Sequence, residues 1–155
     1  MAYEGVAREL VGELKFRGRL PLAALMAAQM AANLPRDLRG HGAAVVPVPA
    51  HRGRRRRRGH DPVDAIASGF ARRTGHALQR CLRRTDSSGP QREASRRVRT
   101  EAGRLAIVTV GSRVPDRVLL IDDVHTTGAT FEACATALRA AGTTWVAGVA
   151  YARTL

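Results

Sequence analysis

Two adjacent carboxylates, Asp122 and Asp123, follow an apolar run and lead into Val124-His125-Thr126-Thr127-Gly128-Ala129-Thr130, an order of residue types suited to gripping a sugar phosphate. Ionised carboxylates only accept hydrogen bonds, so a neighbouring pair can receive the paired hydroxyls of a ribose. Thr126, Thr127 and Thr130 offer hydroxyl donors to a phosphate, and Gly128 lets the backbone approach it closely. Val118 to Ile121 reads as a strand covered on both faces and Phe131 to Ala140 as a helix, so residues 122–130 are expected to form the turn between them. The helix start would add unpaired N–H groups and the positive end of its dipole. A capped turn is the alternative, with a threonine as N-cap and the aspartates solvated, but capping uses one or two hydroxyls and leaves the adjacent carboxylates unexplained.

A second cluster, His51-Arg-Gly-Arg-Arg-Arg-Arg-Arg-Gly-His60, follows a short proline-bounded strand, Ala43 to Pro49, and precedes a helix over Asp61 to Thr74. Three functions fit it. Gly59 would permit close approach and Arg58 would bind phosphate oxygens bidentately, which suits a pyrophosphate. Clustered arginines also suit a nucleic-acid backbone. A solvated loop made arginine-rich by coding bias fits as well, since the chain has 25 arginines and one lysine.

The elements that must position these residues alternate along the chain. Tyr3 to Phe16 has Val6, Ala7, Leu10, Val11 and Leu14 at helical spacing, and Leu20 to Asn33 repeats the pattern after Gly18. Asp61 is placed to cap the third helix, with Pro62 at its first position and Gly75 at its end. Ala77 to Leu82 and Arg104 to Val110 read as short strands, residues 83–103 as an arginine-rich connection, and Thr143 to Tyr151 as the last strand. Strands alternating with helices predict an α/β fold, a mostly parallel open sheet flanked by helices. In such a sheet both clusters fall on the ligand edge.

Composition narrows the class. At 155 residues and 45% hydrophobic, the chain fits one domain spanning 1–155. No apolar stretch approaches the ~20 residues of a membrane span, and the acidic N-terminal segment is unlike a secretory signal, so a cytoplasmic protein without membrane insertion is expected. Cys81 and Cys134 have no metal-site spacing. The net charge of +13 is concentrated: residues 52–104 hold sixteen arginines and five acids, a net +11, which leaves +2 for the remainder. An anionic partner is the expectation for that region.

Ile121-Asp-Asp-Val-His-Thr-Thr-Gly-Ala-Thr130 resembles the phosphoribosyl pyrophosphate signature of type I phosphoribosyltransferases. With Tyr3 through Lys15-Phe16, Val46-Pro-Val-Pro49, Arg58-Gly59-His60-Asp61, Arg84-Thr85, Pro90-Gln91 and Ser95 to Arg99 in that order, the chain is similar to the ComF family of competence-associated proteins. That resemblance implies a phosphoribosyltransferase-like fold with a small flexible hood. It assigns the ribose hydroxyls to Asp122 and Asp123, the 5′-phosphate to Thr126 to Thr130, and the pyrophosphate to Arg58 and Gly59. Arg83, Arg84, Gln91 and Arg99 become hood candidates. Mg²⁺ would arrive with the ligand and need no direct protein ligand. The family commonly begins with a cysteine-rich zinc module, absent here, and has an Arg-Gly-aromatic-Asn-Gln stretch where this chain has Arg58-Gly59-His60-Asp61-Pro62. Thr126 stands where some purine-salvage relatives carry an aspartate placed to act as a base, which leaves His125 and His60 as the candidates for a proton-transfer role and the acceptor unidentified. The resemblance also implies single-stranded DNA as an alternative partner of a non-catalytic uptake or regulatory module, and leaves a homodimer open.

Overall fold

The computed structural model describes residues 1–39, 42–50, 59–85 and 107–154. Two helices open the chain, α1 (Gly5–Arg17) and α2 (Leu20–Ala32), followed by a 3₁₀ turn at Arg36–Leu38. Then come β1 (Ala44–Pro47), α3 (Pro62–Thr74), β2 (Leu82–Arg84) and β3 (Ile107–Thr109). The chain continues with β4 (Arg117–His125), α4 (Ala129–Ala140) and β5 (Trp145–Arg153). On α1, Ala7, Val11 and Leu14 share the buried stripe. Val6, expected on that stripe, is 69% exposed, because one residue along a helix turns the side chain by about 100°.

One sheet has the order β1-β4-β5 with all strands parallel. β4 is its centre, and Val118, Leu119, Leu120 and Ile121 are buried on both faces, which is why their run is apolar without alternation. Successive residues serve different cores. Leu119 and Ile121 join α1, α2 and α3 through Val11, Leu14, Met26, Ile66 and Phe70, while Val118 and Leu120 pack with Cys134 and Leu138 of α4. Gly69 permits the contact of α3 with α2: a Cβ there would lie 2.9 Å from Ala27 Cβ. The α3 start behaves as its sequence predicts, since the Asp61 side chain accepts from the backbone N–H of Val63 and Asp64.

The segment after α3 departs from expectation. Ala77 to Leu82, predicted as a strand, instead touches the β1 edge through one parallel bridge, Leu78 to Val45. Val45 N–H donates to Ala77 O at 2.8 Å and Gln79 N–H to Val45 O at 2.9 Å. The regular strand is β2, so Arg83 and Arg84 belong to it and not to a connection. β2 pairs antiparallel with β3 in a separate two-stranded sheet, Leu82 opposite Thr109 and Arg84 opposite Ile107. Local sequence could not reveal a partner that returns from beyond residues 86–106, which lie outside the described residues.

Candidate functional site

β4 runs four residues further than Ile121. Asp122, Val124 and His125 pair with Ala150, Ala152 and Arg153 of β5, and the His125 carbonyl accepts the Thr154 N–H at 3.0 Å. Cross-strand pairing satisfies this backbone and overrides the poor strand propensity of aspartate, so the expected turn over 122–130 contracts to Thr126–Gly128. The helix likewise begins at Ala129 and not at Phe131. Gly128 is its N-cap at φ +81°, a conformation that disfavours other residues, and its carbonyl accepts the Glu132 N–H at 2.9 Å. Thr126 and Thr127 are exposed, and Thr127 Oγ1 accepts from Ala129 N at 3.4 Å.

The two carboxylates have different surroundings. Asp123 is 4% exposed and faces α1, where Lys15 Nζ donates to Oδ1 at 2.8 Å and lies 2.8 Å from Oδ2. That ammonium is aligned on Oδ1, so Oδ2 has no aligned donor among the described residues. Asp122 is partly buried, its Oδ1 accepts the Asp123 N–H at 2.8 Å, and its charge is felt by Cys134 on α4. Burial, then the negative charge of Asp123, push the Asp122 carboxyl up to about 7, with the Lys15 charge acting in the opposite direction.

His125 packs back over the turn. Its ring stacks on Phe131 with centroids 5.7 Å apart and 26° between planes, Nε2 lies 3.2 Å from where a Gly128 Cβ would be, and Nδ1 is buried with no partner among the described residues. The ring therefore supports the Thr126–Gly128 turn. Phe131 in turn lies over Gly148 of β5, where a Cβ would sit 3.3 Å from the ring.

Of the second cluster, Gly59 has φ +72° and is exposed, whereas Arg58 lies outside the described residues. His60 Nε2 is 3.3 Å from the Leu14 carbonyl oxygen, and its ring covers Gly18. The end of α1 therefore touches both clusters, the Gly59-His60 segment at Leu14 and the acid pair at Lys15. Of the hood candidates, Arg83 is exposed on β2, Arg84 is close enough for its charge to act on Cys134 against burial and Asp122, and Gln91 and Arg99 lie outside the described residues. Lys15 is the site residue that motif reading passed over. Its signal was available: it is the one lysine in a chain of 25 arginines.

No protein-family model matches the chain, and no curated protein matches it either. Solved structures do. An allosteric regulatory enzyme of purine biosynthesis superposes over 83% of this chain and 25% of its own, with TM-score 0.57 and 24% identity. The glutamine phosphoribosylpyrophosphate amidotransferase of B. subtilis, in complex with ADP and GMP, superposes over 83% of this chain and 26% of its own, with TM-score 0.54 and 24% identity. This chain thus spans about a quarter of either protein. The orotate phosphoribosyltransferase of Aeropyrum pernix superposes over 88% of this chain and 74% of its own, with TM-score 0.51 and 20% identity. Likeness at these identities speaks to architecture: the chain has the α/β fold of the type I phosphoribosyltransferases, with a parallel sheet flanked by helices.

Proposed function

We propose that the chain binds phosphoribosyl pyrophosphate with Mg²⁺ and transfers its phosphoribosyl group to an acceptor, as a ComF-type phosphoribosyltransferase. The observation that carries this is the acid pair at the carboxyl end of the central strand, leading through a three-residue turn into a glycine-capped helix. Asp122 and Asp123 would accept the ribose hydroxyls. Thr126, Thr127, Thr130 and the first N–H groups of α4 would hold the 5′-phosphate, with Val124, His125 and Ala129 completing the wall of the turn. Arg58 and Gly59 would take the pyrophosphate.

The reaction breaks the bond from the anomeric carbon to pyrophosphate, which leaves with the electron pair, and forms a bond from that carbon to the acceptor. Positive charge grows on the ring as the bond breaks, so orientation and nearby carboxylates matter more than a protein nucleophile. Among the described residues no three His, Cys, Asp or Glu side chains stand together, and Lys15 already neutralises Asp123. That donor set fits a Mg²⁺ ion held by pyrophosphate oxygens and water, which would offset the charge of the leaving group. Incubating the protein with phosphoribosyl pyrophosphate, Mg²⁺ and a panel of nucleobases tests transfer. Acceptor-dependent release of pyrophosphate, abolished in Asp122→Asn, supports it; no release with any acceptor counts against transfer and leaves the binding role.

The charge of residues 52–104, net +11, favours a second reading, a non-catalytic module that contacts single-stranded DNA through Arg52 to Arg58 while using the sugar-phosphate grip as a sensor.

A further inference from the structure

We propose that Lys15 is a positioning residue for the sugar-binding end of this site: its ammonium orients the Asp123 carboxylate and supplies the positive charge against which the acid pair is presented to a ligand. The inference rests on the assignment of Asp122 and Asp123 to ribose hydroxyls. Lys15 reaches the pair across 108 residues of sequence, from the last turn of α1. Its side chain is 27% exposed where that of Asp123 is 5% exposed, so the ion pair has a buried acid and an ammonium at the solvent edge.

Chemistry separates this contact from an ordinary surface ion pair. An ammonium has three donors in a compact head, whereas a guanidinium spreads five over a rigid plane that would take both carboxylate oxygens at once. Lys15 Nζ lies 2.8 Å from both Oδ1 and Oδ2, so one ammonium fixes the orientation of the buried carboxylate. In a chain that uses arginine 25 times, lysine occurs only here. The neighbouring turn, Leu14, also holds His60 beside Gly59, so Lys15 sits where the two candidate ligand-binding segments meet the same helix.

The groups acting on the pair come from few elements. Lys15 on α1 lowers the Asp122 carboxyl and Asp123 raises it; on the α4 side Cys134 faces Asp122, with Arg84 of β2 acting on that thiol. His125 follows on β4 itself, and β5 and β1 bring Ala150, Ala152 and Pro47 alongside. Lys15 is thus the cation that acts on both carboxylates among the described residues.

The test compares wild type, Lys15→Met and Lys15→Arg by carboxyl ¹³C NMR titration of the free protein and by calorimetric binding of phosphoribosyl pyrophosphate with Mg²⁺ between pH 6 and 9. Methionine keeps the packing of the lysine stem. In Lys15→Met the Asp122 titration should move up, since the positive charge that lowers it is removed. The pH midpoint of binding should move with it, and a one-unit move from about 7 would lower affinity at pH 7 about fivefold. Lys15→Arg should keep the Asp122 titration, because the charge remains, and with it the pH midpoint of binding. An unmoved Asp122 titration in a folded Lys15→Met protein overturns the proposal, whatever happens to affinity. Absence of ligand binding in wild type, with the titration shifted as expected, instead removes the sugar-phosphate assignment and the positioning role with it.

Discussion

At the scale of residues, the proposed sugar-binding role of the acid pair sets stability and affinity against each other as pH changes. Burial raises the Asp122 carboxyl from 3.8 to about 7, so the folded state favours the protonated form. The stability this contributes is complete below pH 3.8 and is lost as pH rises through about 7. Ligand hydroxyls require the ionised acceptor, so affinity should rise over the interval in which stability falls. Asp122→Asn keeps an oxygen for the Asp123 N–H and cannot ionise. It should therefore melt higher than wild type at pH 8.5, by roughly 4–8 °C for about 2 kcal/mol, and equally at pH 4, while losing ligand affinity. A lower melting temperature at pH 8.5 would show that the Asp122 charge is stabilised by partners and not penalised by burial. The motif made the two aspartates legible as a candidate site. It could not show their inequality, because the partner of Asp123 comes from a helix 108 residues away and local spacing carries no information about such a contact.

At the scale of elements, the fold places the site by running β4 past its apolar run and starting α4 almost at once. Gly128 makes that junction possible. Gly128→Ala would strain a backbone at φ +81° and bring a Cβ to 3.2 Å from His125 Nε2, pushing against a ring that is stacked on Phe131. A loss of about 1–2 kcal/mol is expected, read as a lower denaturant midpoint, together with a loss of ligand affinity larger than the stability change explains. Full retention of affinity would mean that the turn geometry is not part of the site. Elements written in local signals were legible: Asp61, Pro62 and Gly75 delimit α3, and Gly18 separates α1 from α2. Elements that depend on distant pairing were not. β2 finds β3 across residues 86–106, and the end of β4 is held by Ala150, Ala152 and Arg153 of β5.

At the scale of the whole molecule, charge and architecture point to anions. The helices bury apolar faces against a three-stranded parallel sheet, and the two candidate segments follow β1 and β4 in the sequence. Residues 52–104 carry net +11, which would attract any polyanion. If single-stranded DNA is a partner through Arg54 to Arg57, replacing these four arginines with serine should reduce the slope of log affinity against log salt by about 3, near 0.7 for each phosphate no longer neutralised. An unchanged slope removes that segment from any nucleic-acid surface. The sugar-phosphate grip is tested separately and most directly by calorimetric titration of phosphoribosyl pyrophosphate with excess Mg²⁺ at pH 8 into wild type, Asp122→Asn and Asp123→Asn. Saturable one-to-one binding to wild type is expected, with at least a tenfold loss, about 1.4 kcal/mol, in either variant. No saturable binding to wild type, or equal affinity in all three proteins, would contradict the assignment of the acid pair to a sugar phosphate.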